Sequence, residues 1–471
     1  MSESSKNSSS SIIKKRKISK NNAEDSAAPS SSSQSVSSNI LVLNNDCLER
    51  IFSLLSLKDQ LNFSRSNHEI ECMFRNYAQR KYKHITKDIP DSLKESDLEY
   101  LVEQVNEHLI SFESYRYSSF IPEKLLRLLG KHCPMLRRLT MAFTQDRWED
   151  LNQLKNLNTL HAFFEFSSND VYEKFFLNLS KSLPCLRKLV LEAPRYNGKG
   201  LHVLEKLQHL EIDDFSQIND KYLIDCCKKM KNLKFLKIGL VAENMSNKTF
   251  PAIVANCRNL ESLAFIDNEL LDNEAYERVC ELPRLKHIMI AGPRLRRPGI
   301  IKGLVRKTGT PLESLILLDS NLCKEQIEQI CYITSLKELW VGSEDDDFSV
   351  EGFMKLKFLE HLHLGMEGIT NKDLLELLLG CPRLRVLNVL DLCPNINSDL
   401  LSLLNRSSKK LKETNRGEIL IYLHDSSVDW EGNFSFKLDN IQIIKGSLHE
   451  DPILLQKEFH IPLKLFRHYS F

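Results

Sequence analysis

What this chain lacks narrows its chemistry before any single residue is read. Its 64 lysine and arginine residues face 63 aspartate and glutamate residues, leaving a formal net charge of +1. With no global field of either sign, net charge draws in neither nucleic acid nor an anionic membrane, so any charged partner must meet a local patch. No opening apolar stretch resembles a secretory signal, and the longest leucine-rich stretches, such as residues 374–379, are far too short to span a bilayer. An intracellular protein, nuclear or cytoplasmic, is expected, with its twelve cysteines reduced.

Catalytic signatures are missing too. There is no Gly-x-Ser-x-Gly, no Walker phosphate loop, no Gly-x-Gly-x-x-Gly and no His-Glu-x-x-His. Cys226 and Cys227 are adjacent, so neither the redox Cys-x-x-Cys spacing nor zinc-ribbon spacing is met. His361 and His363 share one strand face, but no regular cysteine or carboxylate spacing joins them into a metal set. The acidic run from Glu344 to Asp347 lacks the alternating ligands and glycine of a calcium loop. The sequence therefore nominates no catalytic residue, no metal and no cofactor, and an enzyme is not expected.

What the chain has is repetition. The pattern Leu-x-x-Leu-x-Leu, with apolar substitutions, recurs eleven times, its first positions at Leu136, Leu157, Leu186, Leu207, Leu233, Leu260, Leu285, Leu312, Leu336, Leu359 and Leu384. Steps of 21 to 29 residues match the leucine-rich repeat, whose single short strand cannot bury its apolar face alone and must stack on neighbours. The position three before the first leucine is mostly apolar as well. Cys133, Cys257 and Cys381 stand there, where free cysteine acts as a small hydrophobe. Asn219 and Thr370 sit where helix caps are needed, with one helix ending at Gly380.

The fold class that follows is α/β: a right-handed leucine-rich-repeat solenoid, with parallel strands side by side and helices outside. Side chains alternate along a strand, so positions 1, 4 and 6 point into the core and positions 3, 5 and 7 line the concave face. Ile266, Met289, Ile316, Leu318 and Trp340 would leave that face unusually apolar, beside His361, His363 and Asn388. Contiguous apolar surface rimmed by polar groups marks protein contacts, and tryptophan is over-represented among binding hot spots. These eight residues are the expected binding set for a protein target, unless the C-terminal tail lies over them.

Ahead of the repeats the character differs. Residues 1–38 hold 16 serines and almost no large apolar side chains, so a disordered arm is expected. Its cluster Lys14, Lys15, Arg16 and Lys17 is a nuclear-import candidate. From Ile40 onward, Leu48, Ile51, Phe52 and Leu55 fall on one face of a helix, with Asn44, Asn45 and Asp46 as cap candidates. A second short helix should follow Ser56, and Ile70, Met73 or Phe74, and Tyr77 give a third. Three helices this small rarely hold together alone. A helix from Leu93 to Val105 and a strand near His108 to Phe112 then form an opening cap repeat, and Glu418 to Leu423 offers a last strand.

The run Leu43-Asn44-Asn45-Asp46-Cys47-Leu48-Glu49-Arg50-Ile51-Phe52-Ser53-Leu54-Leu55-Ser56-Leu57-Lys58-Asp59-Gln60-Leu61 resembles the F-box. Followed by cysteine-containing repeats, it makes the chain similar, over residues 40 to about 412, to the F-box and leucine-rich-repeat protein family. The resemblance implies docking through Leu43, Leu48, Ile51, Phe52, Leu55, Leu57 and Leu61 on a Skp-type adaptor, and through it on the cullin and RING subunits of a ubiquitin ligase. The repeats would then hold an unknown protein substrate for ubiquitination and proteasomal degradation, with no nucleic-acid or membrane partner. Asn44 stands where the family has proline, and Ser66 and Ile70 where it has valine and tryptophan. The alternative is a non-ligase interaction scaffold with a degenerate F-box. The expected division is a disordered arm (1–38), an F-box (40–86), a linker helix with a capping repeat (88–135), eleven repeats (136–411), and a C-terminal cap and tail (412–471).

Overall fold

The computed structural model describes residues 40–114, 122–143, 148–164, 168–213, 216–239, 245–267, 271–292, 298–318, 321–343, 349–366, 368–413, 417–427, 435–438 and 440–445. The serine-rich arm with its basic cluster and the acidic run at 344–347 lie outside these residues. Three helices form at the N-terminal end: α1 (Asn45–Leu54), α2 (Leu57–Ser64) and α3 (His68–Lys81). Each begins on a side-chain cap, with Asn44 accepting from the Cys47 N–H, Ser56 from that of Asp59 and Asn67 from that of Glu69. Such a cap satisfies a donor orphaned at the helix start and contributes about 1 kcal/mol. Asn44, in the place of the family's proline, supplies the first of them. Phe52 sits among Phe63, Phe74 and Tyr77, with ring centroids 5.4, 5.2 and 5.4 Å away.

This helical unit is closed by the chain itself. After the short α4 (Asp88–Ser92), α5 (Glu95–Val105) packs on α2 and α3. Arg65 reaches Asp97 at 2.6 Å, and the Arg75 Nε–H donates to the Gln104 side chain at 3.1 Å. The sheet also starts earlier than the repeat pattern predicts. β1 (His84–Ile85) pairs in parallel with β2 (Ser111–Glu113), Ile85 standing opposite Phe112. Two residues carry too little alternation to be read as a strand from sequence. One core runs unbroken from Phe52 to Ile443, so helices and repeats share it.

Beyond β2 the strands are β3 (Arg138–Phe143), β4 (Thr159–Phe164), β5 (Lys188–Glu192), β6 (His209–Ile212), β7 (Phe235–Ile238), β8 (Ser262–Ile266), β9 (His287–Ala291) and β10 (Ser314–Leu318). β11 (Glu338–Ser343), β12 (His361–Met366), β13 (Val386–Asn397), β14 (Ile419–Ser427), β15 (Ser435–Leu438) and β16 (Ile441–Lys445) follow. They make one 16-stranded sheet in chain order as far as β14, and then β16 and β15. All pairings are parallel except β15 with β16. That closing hairpin carries strand alternation, with Ile441 and Ile443 buried, but no leucine repeat to announce it.

The repeat leucines do what their spacing predicts. Positions 4 and 6, such as Leu339 and Val341, are buried in the same core as the helix residues Leu374 and Leu377. The helix Asn371–Gly380 opens on a Thr370 and Asp373 capping box, and Asp220–Lys229 opens on Asn219. Gly380 is there for space, since a Cβ on it would collide with the Met354 side chain. Cys133, Cys257 and Cys381 are wholly buried. Burial pushes the Cys133 thiol up to about 12, which leaves it protonated and unreactive.

Candidate functional site

Two surfaces bear on function. At the N-terminal unit, the helical stripe read from the sequence faces inward. Leu48, Phe52 and Leu61 lie in the chain's own core, while Ile51, Leu55 and Leu57 are half-buried. The reason is physical. An amphipathic stripe pays for its burial on whichever apolar face is nearest, and here α2 and α3 supply it, closed in turn by α5. Of the expected set, Leu43 remains exposed. Among the described residues of this unit, Ile40, Val42 at 84% exposure and Leu54 at 72% are also left in water. Ile40, Val42 and Leu43 precede α1, and Leu54 ends it. Leu54 lies off the stripe of Leu48, Ile51, Phe52 and Leu55, and an apolar residue out of phase was the signal in the sequence that marked it.

The second surface is the face of the sheet away from the helices. Strand pairing sets Thr140, His161, Val190, Glu211, Lys237 and Ala264 in one continuous ladder. The ladder continues through Met289, Ile316, Trp340, His363 and Asn388 to Tyr422. Position 5 of every repeat thus falls on the same line, with a helical or 3-10 segment behind the strands. The chain is a leucine-rich-repeat solenoid. Among solved structures it is similar to a chain of the Rad7 and Elc1 complex of yeast, at 15% identity and a TM-score of 0.38, covering 73% of this chain and 88% of that one. It is also similar to an internalin of Listeria monocytogenes, at 13% identity and a TM-score of 0.37, covering 66% of this chain and 85% of that one. No protein-family model and no curated protein sequence matches it.

On this solenoid face the sequence predicts exposed apolar side chains, and the structure buries them. Ile266, Met289, Ile316, Leu318, Trp340, His361, His363 and Asn388 are all 7% exposed or less. Alternation sets the face a side chain points to, but burial depends on what lies above it. Among the described residues, Phe235, Ala264, Ile266, Met289, Ala291, Ile316, Leu318 and Trp340 form a cluster of strand residues separate from the core beneath the helices. Trp340 stacks on His363 with centroids 3.6 Å apart, and Asn388 Nδ2 lies 3.0 Å from His363 Nδ1. Towards β3 and β4 the same face opens, with Arg138 exposed and Thr140 and His161 half-buried.

Buried charge on this face was not read from the sequence. Glu211 accepts from Lys188 Nζ at 2.9 Å and also contacts the His209 ring, which stacks on Phe235 at 3.9 Å. Burial alone would raise the Glu211 pKa, but the His209 hydrogen bond and the Lys188 charge outweigh it and hold it at about 2. Burial in turn lowers His209. Glu338, by contrast, is raised to about 7 by burial, which its hydrogen bond from Ser314 at 2.6 Å does not offset. Among the described residues no three His, Cys, Asp or Glu side chains come together as a metal set. Among the same residues no helix is long and apolar enough to cross a membrane.

Proposed function

We propose that this protein is a non-catalytic substrate receptor of a cullin-RING ubiquitin ligase, its α1–α3 unit docking on a Skp-type adaptor and its repeats holding the target protein. The observation that carries the reading is the exposure of apolar Val42 and Leu43 before α1 and of Leu54 at its end, on a helical unit whose own core is already filled. Fully burying side chains of this size against a partner contributes roughly 1.5–3 kcal/mol each. The receptor's contribution is proximity: a lysine held beside the loaded thioester gains effective concentration, and no residue of the receptor touches the bond being made.

The filled core also favours a second reading, a scaffold that keeps a degenerate F-box. Phe52, Leu61 and Ile70 are buried within the chain, so the unit needs no adaptor to complete its core. Affinity purification of the full chain separates the two. Adaptor and cullin should come down with the native protein and be lost from Val42→Asp plus Leu54→Asp at unchanged melting temperature. Their absence from the native preparation overturns the ligase reading and leaves the scaffold.

A further inference from the structure

We propose that the turns leading into β11, β12 and β13 form a docking surface for an acidic segment of a partner protein, through Tyr332, Lys355, Lys357, Phe358 and Arg383. The proposal stands apart from the ligase reading and needs neither the α1–α3 unit nor an adaptor.

The first observation is two aromatic rings left in water on neighbouring repeats. Tyr332, just after the helix Lys324–Ile330, is 61% exposed, and Phe358, between the 3-10 segment Val350–Lys355 and β12, is 46% exposed. Each ring is held by a cation from the same position of the next repeat. Lys355 Nζ lies 4.4 Å from the centre of the Tyr332 ring, and the Arg383 guanidinium lies 4.7 Å from that of Phe358. Cation–π attraction orients both members of such a pair, and a side chain already oriented loses less freedom when a partner arrives. One exposed apolar side chain is ordinary, but tyrosine, phenylalanine and arginine gathered on one rim have the composition of binding hot spots.

The second observation is what the same position does in other repeats. Asn156 and Asn259 stand one residue before Leu157 and Leu260, as Phe358 stands before Leu359. Asn156 Nδ2 donates to the Pro134 carbonyl and Asn259 Nδ2 to that of Lys231, each at 3.0 Å, so each ties its turn to the preceding repeat. Phe358 has no amide for that task, and its neighbour Lys357 instead donates to the Gly380 carbonyl at 2.9 Å. The third observation is charge. Nearby Lys337 pairs with Glu313 and Lys372 with Glu376, but among the described residues Lys355, Lys357 and Arg383 make no ion pair with a carboxylate. Three cations without acidic partners beside two rings are complementary to a segment that carries carboxylates with apolar side chains between them. Single-stranded nucleic acid fits less well, because bases stack on open ring faces and Lys355 and Arg383 already lie over these rings.

Fluorescence anisotropy of the full-length protein with a short fluorescein-labelled peptide of glutamates interspersed with leucines tests the surface. The native chain should bind, more weakly as salt rises, and Tyr332→Ala plus Phe358→Ala should weaken binding at least about tenfold at unchanged melting temperature. Lys355→Glu plus Arg383→Glu should weaken it as much, which keeps the test decisive if the aromatic pair of substitutions prevents folding. Lys174→Glu plus Lys181→Glu, at exposed positions of the distant helix Asn169–Ser182, removes the same charge and should leave binding intact. No binding by the native chain, equal binding of the same peptide with glutamine for glutamate, or tighter binding of labelled oligothymidylate overturns the proposal. So does unchanged affinity in a folded rim variant, or an equal loss in the Lys174 and Lys181 variant.

Discussion

Two stretches of one sheet face handle a buried carboxyl group in opposite ways. On β5 to β7, Glu211 is held ionised by Lys188 and His209, its pKa down at about 2. On β10 to β12, Glu338 has the Ser314 hydroxyl and the Trp340 side chain as hydrogen-bonding neighbours and lies one strand from apolar Ile316, and burial still takes its pKa up to about 7. Both carboxyls are buried, so depth does not explain the difference. A neighbouring cation makes an ionised carboxylate favourable in a low-dielectric setting, and without one the group keeps its proton. The face is therefore divided, with charge pairing towards its N-terminal half and an apolar strip with an acid that titrates near neutral pH towards its C-terminal half.

The largest effect that would sharpen this division is at Trp340. Trp340→Ala removes the biggest wholly buried side chain and its stack on His363, and should cost about 3–5 kcal/mol in urea unfolding. A loss near zero would mean that the strip is not packed as described.

The two glutamates come next, on the order of 3 kcal/mol each, and with opposite signs. Glu338 is raised in the folded chain, so its favourable contribution is present below the unfolded value of 4.5 and lost as pH rises through about 7. Glu338→Gln should therefore stabilise the protein at pH 8 and change little at pH 4. Glu211 is depressed, so its contribution is present above 4.5 and lost as pH falls towards about 2. Glu211→Gln should destabilise at pH 7, with the cost shrinking in acid. Unfolding curves from pH 2 to 9 read both, and equal signs at pH 8 would break the comparison. The smallest effect belongs to the open end of the face, where Arg138→Ala at an exposed site should stay within about 0.5 kcal/mol.

Much of the solenoid was legible because its signals are local. The leucine spacing gives β3 to β13 and their register, Asn44, Ser56, Asn219 and Thr370 announce their helices, and Cys133 reads correctly as packing. β1 escaped because two residues hold no pattern, and β15 and β16 because they leave the leucine repeat. The candidate sites were legible only in part. Leu48, Ile51, Phe52 and Leu55 were legible as one apolar stripe, but how the unit is closed was not, because α5, which packs on α2 and α3, comes from further along the chain. Leu54, out of phase with that stripe, was the exposed residue instead.

By itself the sequence determined which way each side chain points: period 2 in the strands and the leucine spacing place Trp340, Glu211 and Glu338 on the helix-free face. Only the tertiary structure decided what each of them meets there. Direction follows from the backbone torsions of a few adjacent residues, whereas burial and ionisation depend on segments tens or hundreds of residues away. That is why Trp340 is buried, Glu211 is paired with a lysine and Glu338 has its pKa raised by burial.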